Sequence, residues 1–181
     1  MELADDSKEN VRLLVSRRLP WLFLGLLGSI ATTLLVSKFE WVITKNISLV
    51  FFMPLIVYIS DAVGTQTQTI FVRNLAQGKD KFGKYIIKEI LLGIGLGVIL
   101  GSFVGGAAFI WLREVRVAFV VGASIFTNLL LAPVIALFVS EVLYRSKTDP
   151  ALGSGPVTTI IQDIISLFVY FMITLAVFLN Y

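Results

Sequence analysis

Five long apolar runs, separated by short polar segments, account for most of this 181-residue sequence. Each run is long enough for a membrane-spanning helix, which needs about 20 apolar residues. Only 15% of the residues are charged, whereas a soluble domain carries about 25%. We therefore predict an all-α membrane protein with five transmembrane helices and no separate soluble domain. The predicted spans are residues 19–36, 47–72, 85–112, 117–144 and 155–179.

The first 18 residues are mixed in charge and mildly amphipathic. We expect them to form a lead-in helix on the cytoplasmic membrane surface, ahead of a five-helix transmembrane domain at residues 19–181. A frayed polar tail is the alternative. In either case, Pro20 is expected to open the first span at an early helical position, where proline is tolerated.

The distribution of lysine and arginine predicts the orientation. Eleven of them lie in the N-terminal tail, in the loop at residues 73–88 and in the loop holding Arg145 and Lys147, against four on the opposite side. Because cytoplasmic loops are enriched in positive charge, we expect a cell-membrane protein with its N-terminus in the cytoplasm and its C-terminus outside. An odd number of spans cannot form two equal inverted halves. A symmetric pathway would therefore need a second copy of the chain, as in a homodimer.

The sequence contains no histidine and no cysteine. This excludes an imidazole base, a thiolate nucleophile, a disulfide, and His/Cys-ligated zinc, haem or iron–sulfur sites. Any ion must be bound by oxygen atoms, which favours hard cations. We expect no enzymatic activity, no organic cofactor and no nucleic-acid partner.

A polar stripe runs along the last span. Thr159, Ser166, Tyr170 and Thr174 lie at offsets −4, +3, +7 and +11 from Asp163, and these spacings place all five on one helical face. A carboxylate at bilayer depth costs about 2.5–3.5 kcal/mol, so it normally faces protein, water or an ion. We interpret Asp163 as lining a pathway; a buried structural hydrogen-bonder is the alternative.

The second span repeats this arrangement. Tyr58, Asp61, Thr65 and Gln68 follow offsets of three, four and three, again on one face. Pro54 is expected to interrupt the helical hydrogen bonds nearby and to free carbonyl groups. The alternative is a polar contact surface that joins helices.

Two acidic stripes without a cationic partner in mid-membrane favour a bound positive ion. If two protomers meet, the paired carboxylates would repel each other unless a cation lies between them. Mg²⁺ keeps several of its waters and needs only one or two carboxylates. The spacing therefore predicts a divalent cation pathway.

Other small and polar residues have two interpretations each. Gly97, Gly101 and Gly105 repeat every four residues, and they permit close helix approach either within a protomer or at a dimer contact. Ser124 and Asn128 are expected to join helices or to line a pathway. The two glutamates near span ends, Glu89 and Glu141, are explained by nearby lysines and by Arg145.

Three segments carry a family resemblance: PLIVYISDAVGTQTQTIFVRNLAQG, KEILLGIGLG and DPALGSGPVTTIIQDIISLFVYF. Together they resemble the transmembrane domain of the MgtE magnesium transporter family, over the chain from about Arg18 to its end. The resemblance implies a five-helix homodimer with the ion path between protomers. It makes Asp163 the pore carboxylate that holds a hydrated Mg²⁺, with Thr159 at the same constriction. It places Asp149, in the DPA turn, at the cytoplasmic mouth.

The sequence departs from the family at one helix. The family shows Gly-Gly-Asn-x-Gly-x-Gln in its second helix, whereas residues 60–66 read SDAVGTQ. Ala62 replaces the asparagine, and the carboxylate of Asp61 comes one residue earlier. Bacterial members also carry large cytoplasmic sensor domains before the membrane part. We expect that gating by such domains does not carry over to this chain.

Taken together, the residues and the resemblance predict a homodimeric Mg²⁺ transporter or channel in the lipid bilayer. The predicted metal site is Asp163, Asp61 and Thr159, and the predicted pore-lining residues are Thr65, Gln68, Ser166 and Tyr170. Three alternatives remain: a sodium- or proton-coupled exchanger that uses Asp61, a membrane scaffold without transport, and an intramembrane aspartyl protease. The protease alternative lacks the Gly-x-Gly-Asp context at both aspartates.

Overall fold

The computed structural model describes residues 10–77, 82–146 and 150–179, and within them every regular element is helical. A 3-10 helix covers Ile47–Phe52. The α-helices are α1 (Val11–Lys38), α2 (Glu40–Lys45), α3 (Met53–Ala76), α4 (Phe82–Leu112), α5 (Val115–Arg145) and α6 (Pro150–Phe178).

Five helical segments are long and apolar enough to cross a membrane. This confirms the predicted number of spans and makes the chain an integral membrane protein. The segments are Val11–Lys38, Ile47–Ala76, Phe82–Leu112, Val115–Arg145 and Gly153–Phe178.

The first span and the described part of the lead-in segment form one helix. The side chain of Asn10 caps α1 by accepting a hydrogen bond from the Arg12 backbone N–H. Pro20 therefore lies inside α1 and not at its start, because the cap sets the first turn ten residues earlier. Residues 1–9, the rest of the predicted lead-in, lie outside the described residues.

The second span also differs from expectation near its proline. Pro54 lies in the first turn of α3, where a backbone N–H has no helical partner in any case. It therefore lies at the start of α3 and not in its interior, and the freed carbonyls stay a prediction. The chain enters α3 through the 3-10 helix, which Asn46 caps by accepting a hydrogen bond from the Ser48 N–H at 3.1 Å. The Asn46 amide also donates to the Glu114 carboxylate, which joins two connecting segments at one end of the bundle.

Helix α5 lies at the centre of the bundle. It packs against α3, α4 and α6, whereas α1 packs chiefly against α6. The two helices α1 and α6 run parallel, since Trp21, Gly25 and Gly28 lie opposite Gly153, Pro156 and Ile160 in turn. The apolar core near the start of α5 includes Val117, Val120 and Val121, none of them exposed.

The glycine row of α4 faces α5. A β carbon on Gly101 would stand 2.8 Å from the Gly122 carbonyl oxygen, and one on Gly105 would stand 3.1 Å from that of Ala118. One turn earlier, Gly97 meets the backbone of Phe126 in the same way. The row therefore serves close packing inside one protomer, which is the first of its two predicted interpretations.

Candidate functional site

Helices α3 and α6 bring Asp61, Thr159 and Asp163 together on one side of the bundle. The hydroxyl of Thr159 donates a hydrogen bond to Asp61 Oδ1 at 3.0 Å. Asp163 lies one turn further along α6, within range of electrostatic interaction with Asp61. All three side chains are half-buried. The two carboxylates that the sequence assigned to separate stripes thus form one site.

Gln162 holds α6 in the register that this site requires. Its amide nitrogen donates to the Ala132 carbonyl of α5 at 3.0 Å. Its side chain crosses directly over Gly64 of α3, where any β carbon would clash with the amide. Gln162 was not among the predicted residues, because it lies about 100° around the helix from Asp163. An uncharged amide in mid-span, adjacent to the aspartate, is the signal that could have identified it.

A shallow groove opens beside Thr159. It has a volume of about 340 Å³ and is bounded by α1 and α6. The hydroxyl of Thr159 donates its hydrogen bond to Asp61, so its oxygen can still accept a hydrogen bond from water or contact an ion. The groove is lined by Leu22, Gly25, Ser29, Pro156, Thr159 and Ile160.

Few acidic side chains lie at this site. Across the described ranges, no three acidic side chains come together in a way that could hold a metal ion. Two neighbouring carboxylates and a hydroxyl do not make a complete coordination shell for a bare cation. They match Mg²⁺, which retains waters and binds through one or two carboxylates.

Thr65 and Gln68 continue the Asp61 face of α3. Thr65 is exposed and Gln68 is half-buried, and both lie on turns that follow Asp61 on the same helical face. Their role in lining a pathway stays a prediction. Asp149, the predicted cytoplasmic mouth, lies outside the described residues.

Ser166 and Tyr170 do not line a surface. Ser166 is 1% exposed and its hydroxyl is hydrogen-bonded to that of Ser60 at 3.0 Å. Tyr170 is fully buried and donates to the Leu49 carbonyl at 2.8 Å. Neither side chain is exposed in a single protomer, and their pore-lining role stays a prediction. They share a helical face with Asp163, but at their level α3 and the 3-10 helix cover that face.

Three of the other polar residues make contacts inside the protomer. Asn128 of α5 donates to the Ser166 carbonyl of α6 at 3.3 Å, and Glu141 pairs with Arg145 as the sequence predicted. Glu89 accepts a hydrogen bond from the Thr67 hydroxyl at 2.8 Å, which connects α4 to α3.

Comparison with known proteins adds to this geometry. The family model MgtE, described as a divalent cation transporter, matches residues 53–173. The chain is 31% identical over 163 residues to a magnesium transporter MgtE of Bacillus subtilis, covering 88% of this chain and 36% of that protein. It is 29% identical over 180 residues to one of Enterococcus faecalis, covering 98% and 40% respectively. A third, from Thermus thermophilus, is 27% identical over 157 residues, covering 84% and 34%. The chain thus spans between a third and two-fifths of the length of these curated relatives.

Proposed function

Because the chain belongs to the MgtE family of divalent cation transporters, we propose that it moves Mg²⁺ across the cell membrane. The observation that carries the proposal is the grouping of Asp61, Thr159 and Asp163 at bilayer depth. Intramembrane carboxylates are costly and normally serve an ion or proton pathway. The curated relatives are named as magnesium transporters, which favours Mg²⁺ as the ion.

The pathway lies between two copies of the chain. Support for this comes from the half-buried placement of the site residues, which leaves part of each side chain at the surface of a single protomer. Two copies would bring two sets of carboxylates near a common axis. A divalent cation with its waters offsets the repulsion between them. Thr65 and Gln68 extend the same surface along α3.

The membrane potential supplies the driving force. Moving one charge through 100 mV is worth about 2.3 kcal/mol, so a divalent ion gains about 4.6 kcal/mol. Uptake then needs no other energy source. The lysine and arginine counts favour a cytoplasmic N-terminus. This orientation would place the end of α5 and the start of α6 on the cytoplasmic side.

Proteoliposomes with an internal magnesium dye test the proposal. We expect wild type and Glu40→Gln to carry a Mg²⁺ flux, since Glu40 begins the short helix α2 away from the site. Asp163→Asn is expected to reduce the flux by roughly tenfold or more, because a neutral amide binds a divalent ion weakly. Full flux in Asp163→Asn would contradict the assignment, and absence of flux in wild type would favour a scaffold role.

A sodium- or proton-coupled exchanger is the second candidate, and the position of Asp61 favours it. This carboxylate is in hydrogen-bond contact with Thr159, so a coupled ion or proton bound there would act on the same site. Flux that follows a sodium or proton gradient at zero voltage supports exchange. Flux that follows voltage alone, unchanged in ion preference by Asp61→Asn, assigns Asp61 a structural role.

A further inference from the structure

Exposed aromatic and basic side chains gather at the end of the bundle where α4 turns into α5. Two of the three tryptophans of the chain lie there, since Trp41 is 47% exposed and Trp111 is 64% exposed. Phe51 stacks on Trp111 with the ring centroids 5.7 Å apart. The ammonium group of Lys45 lies 5.3 Å from the centroid of the Trp41 ring. Together with the exposed Arg113, we call these five residues the aromatic–basic rim.

One contact places both parts of the rim at the same end of the bundle. Asn46 donates its side-chain amide to the carboxylate of Glu114, at 3.0 and 3.2 Å from the two oxygens. Trp41 lies five residues before Asn46, and Trp111 lies three residues before Glu114. Even along a helix parallel to the bundle axis, five residues rise only about 7.5 Å. The two tryptophans therefore lie at similar levels of the bundle.

The exposed surface of α4 changes in character towards the rim. Further from this end of α4 the exposed side chains include Val98, Ile99 and Phe103, whereas Trp111 and Arg113 lie where the helix ends. Lipid tails accept apolar side chains readily. Tryptophan is enriched at the headgroup level, because its ring is apolar and its N–H group is polar. The change therefore indicates the boundary between the hydrocarbon and the headgroups.

The rim is also positively charged. The two connecting segments, residues 38–46 and 113–116, hold four basic side chains against two acidic ones. One of the acidic side chains, Glu114, already accepts hydrogen bonds from Asn46. Ammonium and guanidinium groups form charge-assisted hydrogen bonds with phosphate oxygens, and basic groups at a membrane surface attract anionic lipids. The charge of this end therefore matches an anionic headgroup.

We propose that the aromatic–basic rim is a binding surface for anionic phospholipids. The rings of Trp41 and Trp111 lie at the level of the lipid ester groups. Lys45 and Arg113 contact the lipid phosphates. The lipid contact is independent of Mg²⁺ transport and would hold for a scaffold as well.

The rim fixes the depth of the carboxylate site in the membrane. Phe51 belongs to the 3-10 helix that leads into α3, and α3 begins at Met53. Asp61 follows eight residues later, which is about 12 Å along a helix axis. One leaflet contributes about 15 Å of hydrocarbon. With the rim among the headgroups, the carboxylate lies within the hydrocarbon region.

Depth-dependent quenching of tryptophan fluorescence tests the proposal. The full chain is reconstituted in phosphatidylcholine vesicles whose acyl chains carry bromine either near the ester group or near the methyl end. Replacing the other two tryptophans with phenylalanine leaves Trp41 or Trp111 as the only one. We expect the shallow bromines to quench each of them roughly twofold more strongly than the deep bromines. Stronger quenching by the deep bromines at either position would overturn the proposal.

Phe103→Trp, in the chain without its native tryptophans, is the matched control. Phe103 is 74% exposed on α4 and lies eight residues before Trp111, about 12 Å deeper in the membrane. We expect the deep bromines to be the stronger quenchers at this position. If the shallow bromines quench it most, Trp111 has no special level and the proposal is wrong.

A second measurement tests the preference for anionic lipid. A minor fraction of the vesicle lipid is brominated, either as phosphatidylglycerol or as phosphatidylcholine. We expect the phosphatidylglycerol to quench Trp41 roughly twofold more strongly, and Lys45→Gln to remove this excess, because the variant lacks the charge beside the ring. Lys84→Gln, at the opposite end of α4, should keep the excess. Equal quenching of Trp41 by the two lipids would contradict the anionic preference.

Discussion

The side-chain amide of Gln162 on α6 lies directly over the backbone of Gly64 on α3, in the space that a β carbon would occupy. From there it reaches the Ala132 carbonyl of α5. A single contact therefore sets three helices against one another, immediately beside Asp163. The absence of a side chain at Gly64 leaves room for the hydrogen bond from Gln162 to Ala132.

Gly64→Ala is expected to destabilise the protein by about 1–3 kcal/mol, as overpacking does. The added methyl group displaces the Gln162 amide from α5. Thermal unfolding in detergent measures the change. Gly95→Ala is the control, since nothing lies within 4 Å of its β-carbon position. Adding Gln162→Ala to Gly64→Ala should cost less than the sum of the two single variants, and strict additivity would contradict the contact.

Thr159→Val should weaken Mg²⁺ binding by roughly tenfold, about 1.4 kcal/mol, because it removes the hydroxyl that orients Asp61. The measurement is the Mg²⁺-dependent rise in Tm, since ligand at 100 times its Kd stabilises by about 2.7 kcal/mol. Thr159→Ser keeps the hydroxyl and should retain wild-type affinity. Equal affinities in all three proteins would exclude Thr159 from the site.

Tyr170→Phe should lower stability by about 1–2 kcal/mol and leave ion preference unchanged. The hydroxyl is buried and serves the Leu49 carbonyl, which loses its partner in the variant. Unfolding and Mg²⁺/Ca²⁺ competition are measured on the same samples. A changed ion preference with unchanged stability would support the pore-lining interpretation.

Gly101→Ala should destabilise the α4–α5 pair by about 1–3 kcal/mol, because the new methyl group meets the Gly122 carbonyl, which belongs to the backbone and moves little. Gly106→Ala, on the same helix with open space at its β-carbon position, should be neutral or slightly stabilising. Circular dichroism during heating distinguishes them. Similar melting curves for the two variants would argue against the close approach.

Hydropathy was sufficient to predict the five spans, because a membrane helix must be apolar along about 20 residues whatever its neighbours are. Local chain geometry was harder to predict from the sequence. The interior position of Pro20 depends on the cap at Asn10, and the 3-10 helix before α3 depends on Asn46. Neither feature has an apolar period that the sequence displays.

Periodicity placed Asp163 and Asp61 correctly on polar faces but did not reveal that they share a site. The hydrogen bond from Thr159 to Asp61 joins residues 98 positions apart, so it follows only from the pairing of α3 with α6. The same limit explains why the burial of Ser166 and Tyr170 was not predicted. Their angular position equals that of the site, yet neighbouring helices cover them at their level.

The one-sided attachment of α1 has a mechanical consequence. This helix meets the bundle chiefly through α6, along the parallel contacts of Trp21, Gly25 and Gly28. A push or twist applied to α1 is therefore transmitted first to the helix that carries Asp163, before it reaches the central helix α5. Through these contacts, α6 is the element that connects α1 to the carboxylate site.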